Sequence, residues 1–449
     1  MARLFGTNGI RWAIGNESAD FPVRLGIDAG NFYGKGSEIA IGFDFRTSSP
    51  MIFNAAVSGL LSTGCNTIIL GAVPTPVVQF AVKQMNLDGG LMVTASHNPP
   101  EFNGLKFFAA DGTEISRKDE QEVERLHSIE PGRTVGWDSV GKCSFENHIQ
   151  SIYKEKLRSF IKLKDKNMTV IVDCANSVAI DYTPDIIANM GCRVLTLNAQ
   201  PDGRFPGRMP EPLMENVGTL MSTVKAHDAN MGVAHDGDAD RATFVDEKGD
   251  YVTGNQSLAL FAIGALKRHG GKGRVVVPIN TSRMVEDVVK SNGGKIEYTA
   301  VGSPLIARRI MEIGAVLGGE GNGGAIFPEH QLCRDGMMAA VRMLEIVSNC
   351  GPMSSLVAEL PKYGIKSAKL KIRPELKERI LEQVRKDAAN MVSDMDGIKT
   401  ANEEGWMLIR ASGTEPIIRV TVETRSEEIS DRMLGEKVNY LREVITNLS

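Results

Sequence analysis

The sequence predicts an α/β protein of three similar α/β domains with mixed sheets, followed by a smaller C-terminal α+β domain. The first observation is a repeat: a helix-like stretch ends at glycine and runs into a β-rich segment. It occurs as LLSTGCNTIILG near 60–71, IIANMGCRVLTLN near 186–198 and VVKSNGGKIEYTA near 288–300. Glycine closes a helix in the left-handed conformation, and β-branched runs favour strands. The second is that each copy is followed by a polar or glycine-rich loop, respectively TASHNPP, AHDGDADR and GGEGNGG. The third is a change of pattern from about residue 366. There a strand (IKSAKLKI) precedes a charged helix (PELKERILEQVRKDAANMV), two neighbouring strands (GWMLIRAS, PIIRVTVETR) and an amphipathic helix through Leu441. Strands adjacent in sequence indicate antiparallel pairing. The expected domains are 1–150, 151–250, 251–365 and 366–449.

Bulk properties narrow the partners. A chain of 449 residues buries ample core without disulfides or structural metals. The net charge of −4 and the lack of a basic run argue against nucleic acid or a membrane surface as main partner. Six cysteines are scattered without a CxxC pair and suit a reducing compartment. The start, MARLFGTNGIRW, has no signal-peptide core, and no apolar run approaches ~18 residues, so the expected location is cytoplasmic.

TASHNPPEFNGLK, 94–106, follows the apolar run GGLMV, a predicted buried strand. Ser96 therefore stands at the carboxyl end of a sheet, where α/β domains place ligands. Pro99 fixes its own φ and biases Asn98 away from helix, which stiffens the loop. That suits a hydroxyl that must be aimed, and equally a buried turn in which Asn98 bonds backbone. A Ser-His-Asp hydrolase fits less well: the adjacent Ser96 and His97 side chains should diverge, and G-x-S-x-G is absent. Lys106 reads as a solvated lysine or, with a lowered pKa, as a proton shuttle near the loop.

AHDGDADR sets Asp236, Asp238 and Asp240 at alternate positions, on one side of extended chain or converging where it curls. Two such charges ~4 Å apart repel by roughly 4 kcal/mol at an effective dielectric near 20. A cation relieves that, and an all-oxygen set suits Mg²⁺ or Ca²⁺. Glu247 is twelfth from Asp236, as in an EF-hand, but Arg241 replaces the turn glycine and the flanks look like strands. An acidic surface turn, partly neutralised by Arg241, is the other reading.

GGEGNGG holds a formal G-x-G-x-x-G at Gly319, Gly321 and Gly324, yet AIFPEH follows instead of a helix, which argues against a dinucleotide site. The glycines let backbone approach a small ligand while Glu320 and Asn322 offer polar groups to a polyol; a plain glycine turn fits as well. RASGTEPIIR, 410–419, sets Arg410 and Arg419 around Ser412, Gly413 and Thr414. Guanidinium forks, hydroxyls and free N–H groups suit a phosphate, though a hairpin turn with an arginine on each strand gives the same pattern. No Walker A sequence occurs.

Taken in chain order, FGTNGIR, TASHNPPEFNGLK, DGDADR, GEGNGG and RASGTEP resemble the motifs of the α-D-phosphohexomutase superfamily over essentially the whole chain. The resemblance implies four domains around a deep cleft. It implies a serine phosphorylated in the active form and one Mg²⁺ held by three aspartates and a phosphoserine oxygen. By motif position Ser96, Asp236, Asp238 and Asp240 become the metal ligands. Ser96 gives its phosphoryl group to a hexose 1- or 6-phosphate; a hexose 1,6-bisphosphate forms, turns around and returns the other group. Lys106 becomes the acid/base candidate, Arg11 and Arg241 charge-stabilising neighbours, and His97 part of the catalytic loop. Glu320 and Asn322, with Gly324 in the same loop, face the sugar; Arg410, Ser412, Gly413, Thr414 and Arg419 hold the non-reacting phosphate.

Some positions depart from the family pattern. GFDFRTSS stands for GRDTR-x-SG, keeping Asp44 and Arg46. Ser303 stands where relatives often have aspartate or histidine, DCANSVA (173–179) lacks the usual glycines, and Gly324 replaces a histidine of many bacterial members. With RDG at 334–336 and PDGRFPGRMPEP at 201–212, the chain is most similar to the archaeal phosphoglucosamine mutase-type branch. The expectation is a phosphoglucosamine mutase, with phosphomannomutase/phosphoglucomutase as the neighbouring alternative. An inactive sugar-phosphate binding protein or a metal-dependent phosphatase are the alternatives of other classes. Expected partners are small phosphosugars, with no nucleic acid and no membrane, in a monomer or homodimer.

Overall fold

Each glycine-closed repeat forms as its local chemistry dictates. The helices Ser49–Ser62, Thr183–Asn189 and Arg283–Ser291 are each followed by a glycine at positive φ (Gly64 87°, Gly191 96°, Gly293 80°). The strands Asn66–Ala72, Arg193–Leu197 and Lys295–Thr299 then begin. A computed structural model describes residues 4–6, 8–129, 132–411 and 416–448.

Four sheets divide the chain. The first orders its six strands Ile10–Ala13, Phe102–Ala109, Gly89–Val93, Glu38–Phe43, Asn66–Ala72 and Cys143–Phe145. The last four run parallel and the first two antiparallel, so the sheet is mixed as expected. The second sheet (Tyr251–Val252, Ala242–Val245, Met231–His235, Thr169–Asp173, Arg193–Leu197) and the third (Lys295–Thr299, Arg274–Pro278, Leu317–Gly319, Ala325–Ile326) are mixed too. The fourth is antiparallel throughout: Gly364–Lys371, Ile417–Thr424, Gly405–Ala411, Ile398–Ala401 and Met391–Ser393.

One apolar cluster runs through the first three units. It joins Phe80 in the helix Thr75–Gln84, Tyr153 in Ile149–Ser159 and Met338 in Gly336–Cys350. The C-terminal module has its own core around Ile380, Ile409, Val420 and Leu441, and docks on the third unit through Ile279, Trp406 and Leu408.

The charged C-terminal helix is shorter than its sequence pattern suggests. It covers Lys377–Asp387, and Met391–Ser393 leaves it to pair with Ile398–Ala401. Ala388 leaves the helical conformation at φ −75° and ψ 106°, Asn390 turns at φ 54°, and Asp396-Gly397 makes the hairpin turn with Gly397 at φ 93°. Asp-Gly between β-rich runs is a hairpin signal. The last helix extends beyond Leu441 to Leu448.

Candidate active site

The strand Gly89–Val93 is buried at every residue and delivers the serine loop from its carboxyl end. Ser96 is itself buried and takes φ 52°, a left-handed conformation costing a non-glycine residue about 1–2 kcal/mol. Neighbours over-determine it. Its N–H donates to Thr94 Oγ1 at 2.8 Å. Its carbonyl accepts from Arg46 Nη2 at 2.7 Å. The same guanidinium donates to the carbonyls of Asn98 (2.6 Å), Pro99 (2.6 Å) and Phe102 (2.8 Å), while Asp44 accepts from its Nε at 3.1 Å. The ring of Phe205, from the PDGRFPG segment, lies 5.1 Å from the Arg46 Cζ.

Ser96 Oγ donates to Asp236 Oδ2 at 2.8 Å, across 140 residues of sequence. His97 Nδ1 lies 3.3 Å from the same Oγ. Adjacent side chains were expected to diverge; the left-handed turn at Ser96, φ 52°, instead brings these two together. Arg241 and burial, with Arg11, hold the His97 imidazole far below its usual pKa, so the ring is neutral.

The acidic loop is the tip of an antiparallel hairpin, Met231–His235 with Ala242–Val245, and not an EF-hand. Asp236, Asp238 and Asp240 are buried, and one oxygen from each lies within 4.8 Å of the others. Neighbouring units grip the loop: Thr75 N–H donates to the Asp238 carbonyl (3.0 Å) and Gly336 N–H to that of Ala239 (3.2 Å). Burial, with Asp240 and Asp238 nearby, pushes Asp236 up to about 7. Burial acts the same way on Asp240, but Arg334, Lys106 and Arg241 outweigh it and hold that carboxyl far below its usual range. Two buried oxygens, Asp238 Oδ1 and Asp240 Oδ1, accept no hydrogen bond. Orphaned buried carboxylate oxygens converging in this way fit a hard divalent cation.

Among the described residues four cations surround the trio. Lys106 Nζ reaches Asp238 Oδ2 at 2.6 Å and Asp240 Oδ2 at 2.9 Å. Burial pulls its pKa down, but Asp238 and Asp240 prevail and the net direction is up. The lowered pKa that a proton shuttle needs is therefore not found; the ammonium is held charged by the carboxylates. Arg11 donates to Asn98 Oδ1 (2.6 Å) and the Ala95 carbonyl (3.2 Å), and burial brings it down to about 10. Arg241 Nε stands 3.8 Å from both Asp236 and Asp240. The fourth, Arg334, was visible in the sequence only as part of RDG. It donates to Asp240 Oδ2 at 2.6 Å and to Glu320 Oε2 at 3.1 Å, tying the glycine-rich loop to the acidic loop.

That loop spans the turn between Leu317–Gly319 and Ala325–Ile326, so a strand and not a helix directly follows it. Asn322 Oδ1 accepts from Gly324 N–H at 3.1 Å. A Cβ on Gly324 would stand 2.5 Å from Arg334 Cδ. Glycine at 324 is thus what lets the Arg334 side chain pass.

Of the C-terminal residues, Arg410 and Arg419 lie on the strands Gly405–Ala411 and Ile417–Thr424 of the fourth sheet. Arg410 Nε pairs with Asp396 at 2.8 Å, and Asp396 accepts from Val301 N–H at 2.9 Å, which ties the module to the third unit. Arg419 is paired with Arg410 in the strand register and is exposed. Ser412, Gly413 and Thr414 lie outside the described residues. Other departures in the sequence find structural uses. Ser303 Oγ donates to the buried Glu114 across the first and third units (3.1 Å). Ala175 and Asn176 in DCANSVA take φ 55° and 53° without glycine, and Asp173 Oδ1 accepts the Ala175 N–H at 3.0 Å.

Known proteins match this architecture piece by piece. The descriptions "Phosphoglucomutase/phosphomannomutase, alpha/beta/alpha" domain I, domain II and domain III match residues 2–130, 146–249 and 253–363, and the C-terminal domain of the same name matches 370–436. The chain belongs to the phosphoglucomutase/phosphomannomutase family. Within that family it is 37% identical, over 99% of both chains, to a protein of Methanopyrus kandleri named "Probable phosphoglucosamine mutase". It is 38% identical to the "Phosphoglucomutase/phosphomannomutase" of Thermococcus kodakarensis, over 99% of this chain and all of the relative. A solved family structure from Burkholderia thailandensis superposes with a TM-score of 0.89 at 26% identity, covering 99% of this chain and 98% of the other. The enzyme class is that of the phosphohexomutases, isomerases that move phosphoryl groups.

A first expected result follows for this phosphohexomutase. Gly324→Ala must displace Arg334 from between Glu320 and Asp240, an overpacking of about 1–3 kcal/mol. We expect kcat/KM in a coupled mutase assay to fall roughly tenfold to hundredfold with the circular dichroism spectrum unchanged. Unaltered kcat/KM would show that the Arg334 bridge is dispensable.

Proposed function

We propose that the protein interconverts hexosamine or hexose 1-phosphate and 6-phosphate through a phosphoserine at Ser96 and a 1,6-bisphosphate intermediate, with glucosamine phosphate as the preferred substrate. The observation that carries the reading is the Ser96 Oγ contact with Asp236, inside a trio of buried carboxylates from another domain. The names of the relatives from Methanopyrus and Thermococcus support the substrate class, and the first of them the amino sugar.

Asp236, Asp238, Asp240 and a phosphoserine oxygen are the groups that would hold Mg²⁺. When bound, that ion neutralises charge on the phosphoryl oxygens. The chain's own residues do the rest. Arg46 and Thr94 hold the Ser96 backbone, so that the ester points one way. In the first transfer the Ser96 Oγ–P bond breaks as a sugar hydroxyl oxygen bonds to the phosphorus, Lys106 protonating Ser96 Oγ and the hydroxyl's proton replacing the one Lys106 gives. In the second Ser96 Oγ bonds to the other phosphorus, the sugar O–P bond breaks, and the proton passes back through Lys106 to the sugar oxygen. Lys106, held charged beside the trio, is a donor to the oxygen that leaves, and Arg11 and Arg241 offset the dianion. Phosphoryl transfer depends mostly on such positioning and charge neutralisation. Glu320 and Asn322 contact sugar hydroxyls, and Arg410 with the 412–414 segment binds the phosphate that does not react.

The test is a panel of glucosamine 6-phosphate, glucose 1-phosphate and mannose 1-phosphate, each with trace bisphosphate. Isomerisation should be fastest for the glucosamine ester, vanish on chelation by EDTA and return with Mg²⁺. Release of inorganic phosphate in place of isomer, or binding without isomerisation, would reject the proposal.

A further inference from the structure

Asp396, at the hairpin turn of the C-terminal module, is held from two domains at once. Its Oδ1 accepts from Arg410 Nε at 2.8 Å, and its Oδ2 accepts the Val301 N–H of the third unit at 2.9 Å. Both members of the Asp396–Arg410 pair are partly buried. Gly397 permits the approach. A Cβ there would collide with the Ile409 carbonyl oxygen and stand 3.0 Å from Arg410 Cα, so the turn can press its carboxylate against that strand only with glycine beside it.

The Val301 segment is itself anchored. Val301 packs with Ile279, Trp406 and Leu408, where the C-terminal module docks. Two residues on, Ser303 opens the helix Ser303–Ile313 and its Oγ donates to Glu114 of the first unit at 3.1 Å. Arg308 of the same helix donates to the Glu114 carbonyl at 3.2 Å. Polar contacts therefore lead without a break from Arg410 through Asp396 and residues 301–303 to the first unit, which carries Ser96. Anchoring Arg410 by its Nε leaves Nη1 and Nη2, which have no hydrogen-bond partner among the described residues.

We propose that Asp396 is a positioning residue for the phosphate that does not react: it fixes the Arg410 guanidinium by its Nε and leaves the two terminal nitrogens to take that phosphate. The role rests on the assignment of Arg410 to this phosphate under the proposed function. A guanidinium makes two parallel bonds to phosphate oxygens only in one orientation, so a fixed plane matters. The substrate is held at one phosphate while the other end reacts at Ser96, and a misplacement of ~1 Å costs on the order of 10²-fold. A carboxylate beside an anion-binding arginine also repels the anion. The two effects have opposite signs. If Asp396 acted only through its charge, its removal would tighten substrate binding and lower KM; as a positioning residue, its removal lowers kcat.

Steady-state kinetics with the fastest ester of the panel, run as a double-mutant cycle, provide the test. Arg410→Ala should raise KM at least about tenfold, because it removes a contact made in ground and transition states alike. Asp396→Ala keeps the cation and should lower kcat about tenfold, with KM changed less than about threefold. Asp396→Asn preserves the shape should the alanine variant misfold. Its one carbonyl oxygen can serve Arg410 or Val301 but not both, so kcat should fall there too, by about threefold. In the Arg410→Ala background, Asp396→Ala should change neither constant more than about twofold, because the carboxylate acts through the arginine. An equal loss in both backgrounds overturns the proposal, since Asp396 then only ties the domains together. So does a lower KM on its removal, or unchanged constants in both Asp396 variants while Arg410→Ala raises KM. Should Arg410→Ala itself leave KM unchanged, the phosphate assignment of Arg410 fails first and the positioning role falls with it.

Discussion

Ser96→Ala should lower mutase turnover by at least about 10⁴-fold, on the order of 5.5 kcal/mol of transition-state stabilisation. The hydroxyl is the only atom of the loop that reaches the acidic trio among the described contacts, through Asp236 at 2.8 Å. No neighbour can replace it as phosphoryl carrier: His97 is adjacent, at 3.3 Å, but is oriented by the same turn and kept neutral by Arg241 and burial. The backbone should not respond, because the restraints on residue 96 come from Arg46 and Thr94 through its main chain. Binding of the 6-phosphate substrate, measured calorimetrically, should therefore change by no more than about threefold, ~0.7 kcal/mol. Ser96→Gly separates conformation from chemistry: it accepts φ 52° without strain, so it should be at least as stable as Ser96→Ala and equally inactive. Retention of turnover within tenfold of wild type in either variant would remove Ser96 from the reaction.

What the sequence made legible was local. The three glycine-closed repeats were readable because a helix end, a left-handed glycine and a β-branched run sit within about a dozen residues, and the structure forms each of them. The alternate spacing of Asp236, Asp238 and Asp240 left open one side of an extended chain or convergence where the chain curls, and the hairpin tip gives the second. Partners supplied by the fold were not readable. Arg334 begins an unremarkable RDG, and only tertiary packing sets it between Glu320 and Asp240. The direction of the Lys106 shift depended on two carboxylates more than 130 residues away. Ser303 looked like a lost family residue, yet it ties the first unit to the third through Glu114. The strand Met391–Ser393 is a different kind of miss, since its signal was present: the Asp396-Gly397 turn outranks the helical periodicity that runs up to it.

Arg46→Ala should be among the most destabilising single substitutions in the first domain, by about 3–5 kcal/mol. Arg46 is 1% exposed, and its guanidinium satisfies four backbone carbonyls of the serine loop, those of Ser96, Asn98, Pro99 and Phe102, besides pairing with Asp44. Truncation leaves those acceptors without their charged donor and an uncompensated carboxylate in the interior. Turnover should fall with stability, because an error of ~1 Å in the serine position costs on the order of 10²-fold. The deficit should also depend on pH. Burial already raises Asp44, while Arg46, Ser49 and Thr94 pull it back; without Arg46 the folded-state pKa rises further. A carboxyl with a raised folded pKa favours the native state fully below its unfolded pKa and loses that contribution as pH climbs through the folded value. The gap between variant and wild type should accordingly be smallest in acid and widen toward neutrality. Adding Asp44→Asn removes the stranded charge, so the double variant should recover part of the loss at neutral pH. Urea denaturation across this range provides the measurement. Equal midpoints for Arg46→Ala and wild type, or a double variant weaker than the single at pH 7, would show that Arg46 does not hold the serine loop by this charge-paired network.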